Sequence, residues 1–182
     1  MGIAHLFDID IDPILAALPS LDDAWAEESW RQTMPYTPHR DSETIFLRRQ
    51  PGSRPRDVLH QLASVATRHY SIAPLAEAIH QVCSFVQGRP ARAMLVRLRP
   101  GGVIAEHTDT GIYAEATQRV HVPLLTNPGA WLRVGGIRFH LPTGGAYCFD
   151  KHVPHSGANE GAEPRVHMIL DYHPDSPAVF AG

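Results

Sequence analysis

The chain has 182 residues, 43% of them apolar, and a formal net charge of −3. That is the size of one domain with one core, and the mild acidity gives a polyanion such as nucleic acid no electrostatic hold. Two cysteines far apart, Cys83 and Cys148, are too few for a disulfide framework and lack the CxxC that starts a cysteine zinc site.

The N-terminal stretch MGIAHLFDIDIDP has no basic segment, no apolar segment and three aspartates, so it does not read as a secretory signal. Leu6 breaks the myristoylation pattern that Gly2 would begin. No apolar run reaches the length of a membrane span. The expectation is a cytoplasmic protein without membrane or nucleic-acid partners.

In chain order, Asp12-Pro13 opens a short helix through Ile14 to Leu18, with Asp12 as cap and Pro13 in the first turn. Leu21 to Arg31 reads as a second short helix anchored by Trp25 and Trp30. Glu43 to Arg49 reads as a strand between turn-rich flanks. Asp57–Thr67 and Ile72–Val86 carry apolar stripes of helical period, the second stopped by Gly88 and Pro90. After Pro90 the period becomes two. Strands are expected at Ala91–Leu98, Val103–His107, Arg119–Leu125, Trp131–Val134, Ile137–His140, Ala146–Phe149 and Val166–Tyr172, separated by Gly- and Pro-rich turns. The expected fold is α+β, mainly β: a double-stranded β-helix, a jelly-roll or cupin-like barrel, buttressed by N-terminal helices. The whole chain, 1–182, is expected to be a single domain, with residues 1–90 forming the helical buttress and first strand and 91–174 the core.

Twelve histidines are a high share of such a chain. His107-Thr108-Asp109 sits at a strand end, where positions i and i+2 project to one face and can meet one ion. His155 follows the Ala146–Phe149 strand and a turn. Two histidines and a carboxylate are the facial triad of non-haem Fe(II) oxygenases, which leaves open positions for an oxoacid and O2. Arg165 comes ten residues later and opens the last strand, where Arg165, His167, Ile169 and Asp171 share one face. An inward arginine needs an anion, and its fork matches a carboxylate such as the distal one of 2-oxoglutarate. Arg119 and His121 share a face of an earlier strand, opposite Val120, Val122 and Leu124. That places a second cationic pair where an anion would sit. His152 is read as a loop histidine, Cys148 as a core thiol, and His140 and His173 as structural.

Taken together, the segments Arg97-Leu98-Arg99-Pro100-Gly101-Gly102, His107-Thr108-Asp109 and Arg119-Val120-His121-Val122-Pro123-Leu124, followed by Thr126-Asn127-Pro128, Gly144-Gly145, His155 with Asn159, Arg165-Val166-His167 and Asp171-Tyr172-His173-Pro174, resemble the aspartyl/asparaginyl β-hydroxylase family. The similarity is greater to its bacterial amino-acid hydroxylases, such as proline cis-4-hydroxylase. The mammalian membrane-bound members lack the carboxylate ligand that Asp109 provides here. The resemblance implies a double-stranded β-helix and an Fe(II)- and 2-oxoglutarate-dependent dioxygenase using O2. It assigns iron to His107, Asp109 and His155 and the distal carboxylate of 2-oxoglutarate to Arg165. Arg119 and His121 fall where the family contacts the cosubstrate, and His167 shares the Arg165 face. Asp109 argues against a halogenase, which needs that coordination position for halide. The implied substrate is an amino acid, free or within a peptide, of Asp, Asn or Pro type. Two alternatives remain at this point: a cupin-like metalloenzyme without an oxoacid, and a non-catalytic binding relative. Arg48, Arg49, Arg97 and Arg133 read as surface charges or substrate contacts, and Tyr113 and Trp131 as pocket or core residues.

Overall fold

The computed structural model describes residues 2–51 and 62–175. Among them, eleven strands form two antiparallel sheets: β1 (Ala4–Asp8), β2 (Ser42–Arg49), β3 (Val65–Ala66), β4 (Gly88–Leu98), β5 (Val103–His107), β6 (Gln118–Leu125), β7 (Ala130–Val134), β8 (Ile137–Phe139), β9 (Gly145–Cys148), β10 (His155–Asn159) and β11 (Arg165–Pro174). The large sheet runs β1-β9-β6-β11-β4-β2-β3 and the small one β5-β10-β7-β8. The two sheets face each other as a double-stranded β-helix, the expected fold.

Period-two alternation sorts each central strand between two environments. Val120, Val122 and Leu124 of β6, Val166, Met168 and Leu170 of β11, and Ala93 and Leu95 of β4 point away from the small sheet. There they meet Ile14 of helix α1 (Asp12–Ala17) and Leu75, Ile79 and Val82 of a longer helix (Ala73–Val86). This is the main apolar core. The opposite residues of the same strands face the small sheet and line the cavity between the two.

Several elements differ locally from the sequence reading. Asp12 lies inside α1 rather than capping it, and its amide is held by Asp10 Oδ1 at 3.1 Å. The expected second helix is instead a 3₁₀ segment, Leu18–Ala26, followed by the single turn α2 (Trp30–Thr33). Ser29, whose backbone leaves the helical region just before α2, divides the two. The expected helix Asp57–Thr67 lies partly outside the described residues, and its described end forms β3. The longer helix, Ala73–Val86, is α3. It stops at Gln87, which takes the left-handed conformation (φ 49°). Gly88 serves closeness rather than conformation, since a Cβ there would lie 2.6 Å from the Tyr172 ring. The Gly135-Gly136 turn between β7 and β8 has positive φ at both residues, as a tight hairpin requires. Strand β1, at the sheet edge beside β9, and β10 were not expected. No helix of the described residues is long and apolar enough to cross a membrane.

Candidate active site

His107 ends β5 and His155 begins β10, and the two are directly paired across the small sheet. Asp109 follows two residues after His107, with its amide held by the Lys151 carbonyl at 3.0 Å. One ligand atom from each of His107, Asp109 and His155 lies within 4.8 Å of the others. Both imidazoles are oriented by backbone. His107 Nδ1 donates to the Ala105 carbonyl at 2.8 Å, and His155 Nδ1 donates to the Val153 carbonyl at 3.0 Å. Each ring therefore carries its proton on Nδ1 and offers the Nε2 lone pair to a metal, the usual arrangement of a ligating histidine. Burial lowers both histidine pKa values, that of His155 to about 4, so both rings stay neutral as ligands require.

The carboxylate ligand is oriented from behind. Arg119 Nη1 meets Asp109 Oδ2 at 2.7 Å, which leaves Oδ1, 3.8 Å from His107 Nε2, for an ion. Arg119 also grips Asp171 with Nε at 2.7 Å and Nη2 at 3.2 Å. Burial, the largest single influence, would raise the pKa of Asp109 and Asp171, but Arg119 together with His155 and His107 at Asp109, and with Lys151 and Arg92 at Asp171, holds both below the ordinary carboxylate value. Tyr113 completes this group, its hydroxyl donating to Asp171 Oδ2 at 3.1 Å. The anions that Arg119 meets are thus the chain's own carboxylates.

Deeper in the barrel, Arg165 is 4% exposed. Its guanidinium lies against the His167 ring, with 3.1 Å from Nε to Nε2 and 3.0 Å from Nη2 to Nδ1. Among the described residues it has no carboxylate partner, and burial alone lowers its pKa to about 10. His121 lies beside His167, 3.5 Å between their Nδ1 atoms, and its buried Nε2 has no partner. Burial first, then the nearby arginines, hold both of these histidines well below the ordinary value. One inter-sheet cavity joins His107, His155, His121, Arg165 and His167. Two neutral imidazoles with free Nε2 lone pairs, a polarised carboxylate, a buried guanidinium without an anion and an orphaned imidazole nitrogen fit a divalent ion bound with a dianionic oxoacid.

A second cavity, of about 340 Å³, opens on the outer side of His107 and Asp109. Its walls include Trp30, Tyr113, Arg31, Arg92 and Lys151; the sequence marked Tyr113 as a pocket candidate and Trp30 only as a helix anchor. Arg92 had a readable signal, since it shares a strand face with Met94 and Val96. Arg31 and Lys151 had none, because they sit in irregular or short segments. Of the arginines considered earlier, Arg49 pairs with Glu28, Arg97 pairs with Glu43 over the Trp25 ring, Arg48 bonds Ser64, and Arg133 lies over Trp131. Trp131 lines neither cavity. His152 donates to the Asp109 carbonyl at 3.0 Å, and Cys148 belongs to the apolar core.

The family model for aspartyl/asparaginyl beta-hydroxylases matches residues 27–174. L-proline cis-4-hydroxylase of Rhizobium meliloti (strain 1021) is 27% identical over 135 residues, 71% of this chain and 47% of that protein. The chain thus spans about half the length of this curated relative. Among solved structures, a 2OG-Fe(II) oxygenase family oxidoreductase from Burkholderia pseudomallei aligns with a TM-score of 0.59 at 14% identity, covering 94% of this chain and 84% of that one. A Pseudomonas putida prolyl-4-hydroxylase aligns at 0.58 and 15%, covering 96% and 92%. At such identities the structural likeness speaks for the fold.

Proposed function

Since the chain belongs to the aspartyl/asparaginyl β-hydroxylase family, we propose that it is an Fe(II)- and 2-oxoglutarate-dependent dioxygenase. Its substrate would be an amino acid, or an Asp-, Asn- or Pro-type residue in a peptide, hydroxylated at an unactivated C–H. One observation carries the reading: an oriented His-Asp-His cluster and a buried arginine without an anion share one cavity.

In this reading His107, Asp109 and His155 hold iron and Arg165 takes the distal carboxylate of 2-oxoglutarate. Bound iron with 2-oxoglutarate and O2 supplies the oxidising power, chemistry that belongs to the cofactor. The protein's own part is placement. The Ala105 and Val153 carbonyls keep both Nε2 atoms turned to the ion, and Arg119, anchored on Asp171, fixes the carboxylate ligand. His121 and His167 stay neutral beside Arg165. They line the inner wall, and the Nε2 of His121 can meet a cosubstrate oxygen. The sheets exclude water from the inner cavity, which strengthens each polar contact there. A cupin-like metalloenzyme without an oxoacid would have no use for Arg165, so that reading ranks second.

The test is anaerobic addition of Fe(II) and 2-oxoglutarate to metal-free protein, read by the weak visible charge-transfer band of the chelate. The band should form in the wild type, vanish in His155→Ala and weaken in Arg165→Ala. Iron binding without a band would favour the cupin-like reading, and no iron binding would remove the metal assignment.

A further inference from the structure

The outer cavity carries more positive charge than the reaction centre uses. Four cationic side chains, Arg31, Arg92, Arg119 and Lys151, line it against a single carboxylate, Asp109. Arg119 is fully engaged by Asp109 and Asp171. The other three have only neutral partners among the described residues. Arg31 donates to Thr44 Oγ1 at 3.1 Å and lies 3.3 Å from Met94 Sδ. Arg92 donates through Nε to Gln50 Oε1 at 3.2 Å and lies over the Tyr113 ring, and its buried Nη2 has no partner at all. Lys151 donates to Thr117 Oγ1 at 2.7 Å. None of the three is more than 8% exposed.

Buried cations facing neutral partners are unfavourable unless a ligand neutralises them. Iron(II) and the two carboxylates of 2-oxoglutarate cancel each other's charge, so loading the centre leaves the excess in place. A neutral zwitterion such as proline would offset one cation with its carboxylate. Its ammonium would then face the remaining cations, and the one lining carboxylate is already held by Arg119 at 2.7 Å. The cavity's volume of about 340 Å³, at the small end of small-molecule sites, has room for a dicarboxylic acid. Trp30, Met34 and Tyr113 supply apolar walls for its carbon skeleton.

We infer that the outer cavity takes a small dicarboxylic acid without a free ammonium group, one carboxylate at Arg92 and the other toward Arg31 and Lys151. This replaces the free amino acid of the oxygenase reading with a dicarboxylate whose nitrogen, where it has one, is acylated, and it rests on that reading for its role in the reaction. Arg31 and Arg92 come from different elements, α2 and β4, and both line the cavity with only a neutral hydrogen-bond partner each, so each can take a carboxylate.

The experiment is calorimetric titration of the anaerobic protein loaded with Fe(II) and saturating 2-oxoglutarate. The probes are L-malate, N-acetyl-L-aspartate, L-aspartate, L-asparagine and L-proline, with the visible band followed in the same samples. Malate and N-acetylaspartate should bind about tenfold or more tighter than asparagine and proline, the scale of one charge-assisted hydrogen bond, with aspartate between. A retained band shows that the acid has not displaced the oxoacid. Arg92→Gln and Arg31→Gln should each weaken malate binding about tenfold or more while proline changes little. Arg92→Lys should recover part of the loss. Arg138→Gln, which removes an exposed charge that pairs with Glu160 and does not line the cavity, should change nothing. Equal or tighter binding of proline or asparagine by the wild type overturns the inference, whatever the variants do, and so does malate affinity indifferent to both arginine variants. A band without dianion preference sinks this inference alone. Dianion preference without a band, measured also on the metal-free protein, sinks the oxygenase reading alone.

Discussion

Along β11, Val166, Met168 and Leu170 face the helices, whereas Arg165, His167, Ile169 and Asp171 face the small sheet. β6 divides in the same way, with Val120, Val122 and Leu124 on one side and Arg119 and His121 on the other. One set of strands therefore builds two unlike interiors. The helix side is apolar and close-packed, and burial there supplies stability. The barrel side buries charged and titratable groups, which stay in place because they pair with one another or await a ligand. Stability and chemistry are separated by a single residue of register.

This comparison can be broken most directly at the ligands. His155→Ala should weaken Fe(II) binding by more than the roughly 10- to 100-fold that loss of an outer-shell partner brings. Its midpoint of urea unfolding, measured without metal, should stay close to wild type. Leu170→Ala on the other face should do the reverse. It should cost about 2–5 kcal/mol of stability as an unfilled core cavity, read from the urea midpoint, while the refolded protein keeps its iron affinity.

Asp171→Asn sharpens the comparison, because Asp171 contacts none of the three candidate ligands and holds Arg119, which holds Asp109. Iron affinity should fall about 10- to 100-fold, read by metal competition. The substitution should also change the acid limb of stability. The folded carboxyl of Asp171 is held below its unfolded value by Arg119, so its contribution is complete above about pH 4 and is lost as pH falls toward the folded value. The wild type should therefore lose stability below about pH 4 more steeply than Asp171→Asn. A matching slope in both would mean that Asp171 does not titrate with unfolding.

The smallest expected effect concerns the thiols of the apolar side. Burial raises Cys83 and Cys148 to about 11, so neither is a thiolate at neutral pH. Iodoacetamide at pH 8 should leave both unmodified in the folded protein and label both in urea, as mass spectrometry would read.

Much of the molecule followed from local pattern. The strands after Pro90 fall within a few residues of their expected bounds because alternation of Val, Leu and Ile against polar residues is a local signal. His107, Asp109 and His155 were recognisable because HxD at a strand end and a late histidine before Arg165 are spacing signals, and the structure brings all three together. β10 escaped because His155-Ser156-Gly157-Ala158-Asn159 has no apolar alternation, although all five residues are buried between β5 and β7. β1 escaped because an edge strand is defined by its partner, here β9.

The sequence by itself determined the two-faced strands, the turns between them and the choice of His107, Asp109 and His155 as candidate metal ligands, since these depend on residue type and separation along the chain. The tertiary structure alone decided which charges find partners. Arg119 meets Asp109 and Asp171, while Arg165, Arg31, Arg92 and Lys151 are buried without an anion among the described residues. Pairing of charges depends on distance in space between elements far apart in sequence, such as α2, β4 and the loop before β10. No local pattern carries that distance.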